Sequence, residues 1–329
     1  MSRCQPQDFP FGREPPIVTA YFAFAIIFAV LFFGQLVLAL LTGIKKPRGD
    51  AFGTVTEQEV ELLRPHRTRF TFLMTLMLMS LIIMYSLVAT SLYYTSSITY
   101  TVNLTQDIIN RLRTVGMASS CSFEIRNLLL FAVLVAVLDS GIKVSQLRRF
   151  SSTAKGIQGE TNVKIIVMSC LVGFLAILTI GLITVLNEVN AETEQPVYTF
   201  VSSAKIVADT WSQFGVFQAR IFIDVVLTIY YTVVAILMWR KKRMVAHEPN
   251  EADHNYSFRA LERIVKYVCP LLILSTIHMI ITDVLERPII TTIVVNNQTS
   301  LLFGFASNFI AGVIAILLNL ALISVGYVL

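Results

Sequence analysis

Two residues four apart in an apolar setting, Arg220 and Asp224, are the strongest chemical signal in the chain. On a helix that spacing puts both side chains on one face. There they can neutralise each other, or each can meet a partner on another element. Charge inside a membrane-spanning stretch is costly and by default marks a functional site. Other ionisable residues fall at comparable positions. Glu124 and Arg126 precede one apolar stretch, and His278 and Asp283 lie towards the end of another, followed by Glu286 and Arg287. If these stretches cross a bilayer, all of these groups share its outer third. Glu124, Arg220, Asp224, His278 and Asp283 are therefore the candidate ligand-binding set, in a pocket opening outward between the third, fifth and sixth stretches. The competing reading is a structural cluster that fixes helix packing, because charged side chains near helix ends reach water at little cost.

Other polar residues suggest smaller roles. Asp139 and Lys143, again four apart, form a candidate charge pair at the opposite end of the third stretch. Asn308 and Asn319 can join helices through amide hydrogen bonds. Cys269-Pro270 predicts a loosened backbone ladder and a bend. Gly34, Gly173, Gly181, Gly304 and Gly312 predict close approaches between helices. Three of the four histidines, His66, His247 and His254, read as loop residues, so a histidine-built zinc site is not expected. GxGD and GxSG protease patterns, a Walker loop and a GxGxxG cradle are all missing. The expectation is a protein that is not an enzyme and carries no cofactor or metal.

The elements that must position these residues are apolar runs long enough to cross about 30 Å of hydrocarbon. They read as Ile17–Ile44, Phe70–Tyr94, Asn127–Ile142, Ile165–Leu186, Gly215–Trp239, Val265–Leu285 and Leu301–Leu329. The third is the shortest and is interrupted at Asp139, which predicts a position shielded by its neighbours. The composition agrees: 55% of residues are hydrophobic and only 14% charged, against about 25% charged in soluble domains. Mean hydropathy is +0.69. The predicted fold is all-α, a seven-transmembrane helix bundle over 17–329 preceded by an extracellular tail, 1–16. The first run is too long for the 7–15-residue core of a signal peptide and reads as a retained span.

Basic residues fix the expected orientation. The loops after the first, third and fifth stretches, with the start of the sixth, hold 18 Lys and Arg, and the opposite side holds seven. The positive-inside rule puts the 18 in the cytosol, the N-terminus outside and the C-terminus inside. The net charge of +5 thus belongs to the membrane surface and not to nucleic acid. The segment 240–268 is basic and amphipathic, with Asn255 as a candidate helix cap. It is a candidate site for a cytosolic signalling partner, or an anchor for the helix end. Between the second and third stretches, Ile108, Ile109, Leu112 and Val115 form one face of a helix. Such a helix is either a lid over the pocket or an interfacial helix at the membrane surface. Asn103 and Asn297 are the candidate glycosylation sites, and Cys4 and Cys121 a possible disulfide.

The external N-terminus, seven spans and basic third inner loop resemble the architecture of a G-protein-coupled receptor. The resemblance covers the whole chain but not the family's motifs. Arg148-Arg149 follows the third span without an acidic–arginine–tyrosine triplet, and Asn319-Leu320 stands where an asparagine–proline pair would be. The segment from Asn187 to Phe214 offers no cysteine for Cys121. The architecture implies a receptor-like protein in the plasma membrane that binds an extracellular ligand and signals to a cytosolic partner. A small-solute or lipid transporter, or a structural or adaptor membrane protein, are the alternatives.

Overall fold

The computed structural model describes residues 16–44, 57–100, 106–147, 154–193, 203–245, 260–292 and 297–327. Among them every element is helical. The seven long helices are α1 (Pro16–Ile44), α2 (Glu57–Tyr100), α3 (Gln106–Leu147), α4 (Ala154–Thr193), α5 (Ser203–Val245), α6 (Cys269–Thr292) and α7 (Asn297–Gly326). A π-helical turn, Ile264–Val268, runs directly into α6. Each contains an apolar stretch long enough to cross a membrane, α6 with the turn before it. Large apolar side chains such as Ile27 and Phe33 on α1, and Phe174, Ile177 and Ile180 on α4, are exposed. Lipid is the solvent that makes such a surface favourable, and helices satisfy their own backbone groups there. This is an integral, multi-pass membrane protein.

Sequential helices pack side by side, and α1 meets α7 to close the bundle. Contacts give the directions. Gln35 Nε2 on α1 donates to the Ile316 carbonyl of α7 at 3.0 Å, and Asn308 Nδ2 donates to Tyr21 Oη at 2.7 Å. The first and last helices therefore run parallel, as seven alternating passes require. The end of the bundle where α1 starts is here the upper end. A core of buried Phe, Met, Leu and Val runs through the interior, including Phe32, Met77, Leu134 and Leu227. Tyr85 of α2 stacks on Phe28 with ring centroids 5.4 Å apart. Buried amides tie α1 to α7 again through Asn319 Nδ2 and Gln35 Oε1, at 3.2 Å.

Two arginines outside the predicted spans serve helix ends. A guanidinium nitrogen of Arg67 donates to the Thr42 carbonyl at the close of α1. Arg263 Nη1 donates to the Ser324 carbonyl at the close of α7, at 2.6 Å. The last four carbonyls of a helix lack intrahelical donors, and a cation there also suits the helix dipole.

The structure corrects several boundaries. The third apolar span is Thr114–Asp139, not Asn127–Ile142, and α3 begins at Gln106. Residues 108–115 therefore continue α3, instead of forming a separate lid or interfacial helix. The shielding expected of this span is found: 56% of its apolar window is buried, against 22% for α4. His66 lies within α2, not in a loop. Of the five glycines expected at close approaches, only Gly312 has one: a Cβ there would overlap Phe28 and the Tyr85 hydroxyl. Gly34, Gly173, Gly181 and Gly304 have open space, whereas Gly43 and Gly326 abut Thr71 and Phe70. The tail 1–15 lies outside the described residues.

The break expected at Cys269-Pro270 takes the form of the π turn. Cys269 N–H bonds to the Ile264 carbonyl, five residues back. Pro270 brings no N–H, so the ladder changes register where a donor is missing, a recurrent cause of bends in helices.

Candidate functional site: a buried charge cluster between α3 and α5

Glu124 lies ten residues into its span on α3, and Arg220 two residues into its own on α5. Both are in the upper half of the bundle and both are buried. Arg220 Nη1 donates to Glu124 Oε1 at 2.5 Å. Its Nε lies 2.5 Å from Glu124 Oε2, close enough for an ion pair but off the line of a hydrogen bond. Arg220 Nη2 faces Asp224 Oδ2 at 3.5 Å, the four-residue pair read from the sequence. The guanidinium carbon also sits 5.9 Å from the Phe123 ring centroid, within cation–π range.

A second guanidinium completes the cluster. Arg126, two residues after Glu124, is 6% exposed and donates from Nη1 to Asn127 Oδ1 at 2.7 Å. Its charge acts on Asp224 across the bundle. Two carboxylates and two guanidinium groups thus balance in a region from which water is largely excluded. Balance lowers the electrostatic cost, yet hydrogen bonding stays incomplete. Five buried atoms of the cluster have no hydrogen-bond partner among the described residues: Glu124 Oε2, Arg220 Nε and Arg220 Nη2 sit in the ion pairs above, which leaves Asp224 Oδ1 and Arg126 Nε. Buried polar atoms are nearly always satisfied, so these two orphans mark where a polar group would be welcome.

The cluster brings together three of the five expected site residues, Glu124, Arg220 and Asp224. His278 is half-buried on α6 and makes no hydrogen bond or ion pair to them among the described residues. The Asp283 side chain lies outside the described residues, as do Asn103, the side chain of Asn297, and Cys4. Cys121 is half-buried in α3, its thiol unbridged. In the segment 240–268, side chains are described at Arg240 and again from Ala260, where Lys266 Nζ pairs with Glu262 Oε1 at 2.6 Å.

Arg126, named beside Glu124 in the sequence but left out of the candidate ligand-binding set, is the residue that the structure adds to the cluster. In the sequence it counts among the basic residues of the outer side, because it precedes the stretch read as Asn127–Ile142. Its spacing from Glu124 carried no signal, since residues two apart point to different sides of a helix. Among the described residues no three His, Cys, Asp or Glu side chains converge as metal ligands would. No family model, curated protein or solved structure matches the chain.

α6 is linked to the cluster through α5. Thr228 and Thr276 hydroxyls meet at 2.9 Å, one turn of α5 below Asp224. On its other side, Thr282 meets Ser307 of α7 at 3.1 Å. The π turn and Pro270 lie below both contacts.

Proposed function

We propose that this is a receptor-like seven-helix protein of the plasma membrane, its upper end facing outward. A polar extracellular ligand binds at the cluster and favours one arrangement of α3, α5 and α6 over another. A ligand shifts such an equilibrium only through contacts that differ between the two states. The observation that supports this reading is the charge-balanced cluster with buried polar atoms that lack hydrogen-bond partners, Asp224 Oδ1 and Arg126 Nε among them. A ligand completing them would compete with the Arg220 bridge to Glu124, loosening the α3–α5 contact. The Thr228–Thr276 contact passes that movement to α6, whose π turn gives it a hinge, and a cytosolic partner at 240–268 reads the result.

Membranes carrying the full chain test this by uptake of a non-hydrolysable guanine nucleotide during a screen of small polar solutes. The expected result is a response above mock membranes that Asp224→Asn alters at equal surface expression. Asparagine preserves shape and removes charge. A wild-type response unchanged by Asp224→Asn would remove the cluster from ligand binding. No response, with solute accumulating in proteoliposomes of the purified protein, would replace signalling by transport.

A further inference from the structure

A groove of about 560 Å³ lies between the lower halves of α2, α3 and α4, away from the charge cluster. Each helix contributes an eight-residue stretch, 66–73, 132–139 and 165–172, so the groove runs about 10 Å along the bundle axis at 1.5 Å per residue. Its polarity is graded. His66, Arg69 and Asp139 gather at the lower mouth, whereas Phe72, Ala132 and Val172 line the upper part. Ala132 and Ala136 leave the space that larger side chains would fill. α4, the wall on one side, is among the least buried spans, so the groove lies beside the lipid phase. Head-down polarity over an apolar slot is the shape of an amphiphile.

Charge selects among amphiphiles. Asp139 Oδ2 is met by His66 Nδ1 at 3.7 Å. Among the described residues no carboxylate pairs with Arg69, which is exposed at the mouth. Arg64 and Lys164 lie on the same lower ends of α2 and α4. Guanidinium groups match phosphate in charge and hydrogen-bond geometry, and basic pockets between membrane helices hold anionic headgroups. We propose that this groove binds an anionic phospholipid of the surrounding leaflet. Its phosphate lies at Arg69 and His66 and an acyl chain lies against Phe72, Ala132 and Val172. The site is independent of the receptor reading.

The test is native mass spectrometry of the full-length protein in neutral detergent, given equal amounts of phosphatidic acid and phosphatidylcholine with the same acyl chains. Phosphatidic acid is expected to be retained about fivefold better, the factor for one basic side chain at an anionic surface. Arg69→Gln should bring it to the phosphatidylcholine level. Ala136→Phe, which fills the slot, should lower retention of both lipids. Lys266→Gln, at the same end of the bundle but outside the groove, should change neither. Equal retention of the two lipids by the wild type overturns the proposal. So does a loss from Lys266→Gln as large as that from Arg69→Gln, because charge alone would then explain binding. Displacement of phosphatidic acid by an equal concentration of oleate would assign the groove to free fatty acid instead. Arg69 is exposed, so its variant decides the matter even if Ala136→Phe fails to fold.

Discussion

Arg220 and Glu124, 96 residues apart in sequence, meet in the bundle interior with Nη1 and Nε of the guanidinium each 2.5 Å from a carboxylate oxygen. The contact makes one unit of α3 and α5, helices that otherwise touch little. Its energetic consequence is asymmetric. Assembling a buried pair returns little net stability, because both ions lose their hydration, but removing one partner strands the other.

Arg220→Met should therefore destabilise the protein by about 3–5 kcal/mol, leaving Glu124 and Asp224 as buried carboxylates without their shared cation. Glu124→Gln should cost less, because an amide oxygen still accepts from Arg220. Combining Glu124→Gln with Arg220→Met should recover much of the loss, since the charges of Asp224 and Arg126 then still balance. Thermal unfolding of the detergent-solubilised protein reads all three. A single Arg220→Met variant as stable as wild type would mean that the pair contributes nothing to the fold.

Much of this was legible in the sequence, and the remainder was hidden for physical reasons. Apolar length fixes a spanning helix because lipid leaves the backbone no other option, and all seven spans were found that way. The Arg220–Asp224 pair was legible because it is local to one helix. Glu124 as the partner of Arg220 depends on which faces of α3 and α5 meet, which spacing along one helix does not encode. The start of α3 was misjudged because Ala118, Ser119, Ser120 and Ser122 look like loop. A helix shielded by its neighbours need not be apolar all round, so hydropathy marks its lipid-facing relatives better than it marks α3. The glycines failed for a similar reason: open space at Gly304 and overlap at Gly312 depend on the facing helix.

Gly312 supplies a packing test. Gly312→Ala drives a methyl group into Phe28 and Tyr85, and overpacking of this kind costs about 1–3 kcal/mol. Phe28→Leu should offset part of that loss in the double variant by shortening the side chain in the way. Gly304→Ala, with nothing within 4 Å of the added carbon, should be neutral in the same unfolding assay. If Gly312→Ala is as stable as Gly304→Ala, α1 and α7 do not approach as closely as described.

Pro270 offers a test of the hinge. Pro270→Ala supplies the missing N–H and removes the ring that clashes with the preceding turn. The π turn should then relax towards α-helix, and amides over 264–274 should exchange with deuterium more slowly than in wild type. If movement of α6 carries the signal, the same variant should reduce the nucleotide-exchange response without lowering surface expression. Unchanged exchange would mean that the π turn does not depend on the proline.

The proposed orientation rests on charge, and it can be tested without knowing a ligand. Eighteen Lys and Arg on one side against seven on the other oppose translocation of the richer side. Two of the eighteen, Arg67 and Arg263, also hold the lower ends of α1 and α7, so reversing the bundle would carry structural cations across. An epitope tag at the N-terminus should be reached by antibody on intact cells, and one at the C-terminus only after permeabilisation. Asn103 is then on the side where glycans are added, so Asn103→Gln should remove a glycosidase-sensitive increment of apparent mass, whereas Asn255→Gln, at the sequon Asn255-Tyr256-Ser257 on the opposite side, should not. Equal access to both tags on intact cells would put the two termini on one side and would break the link between an odd number of spans and the charge asymmetry.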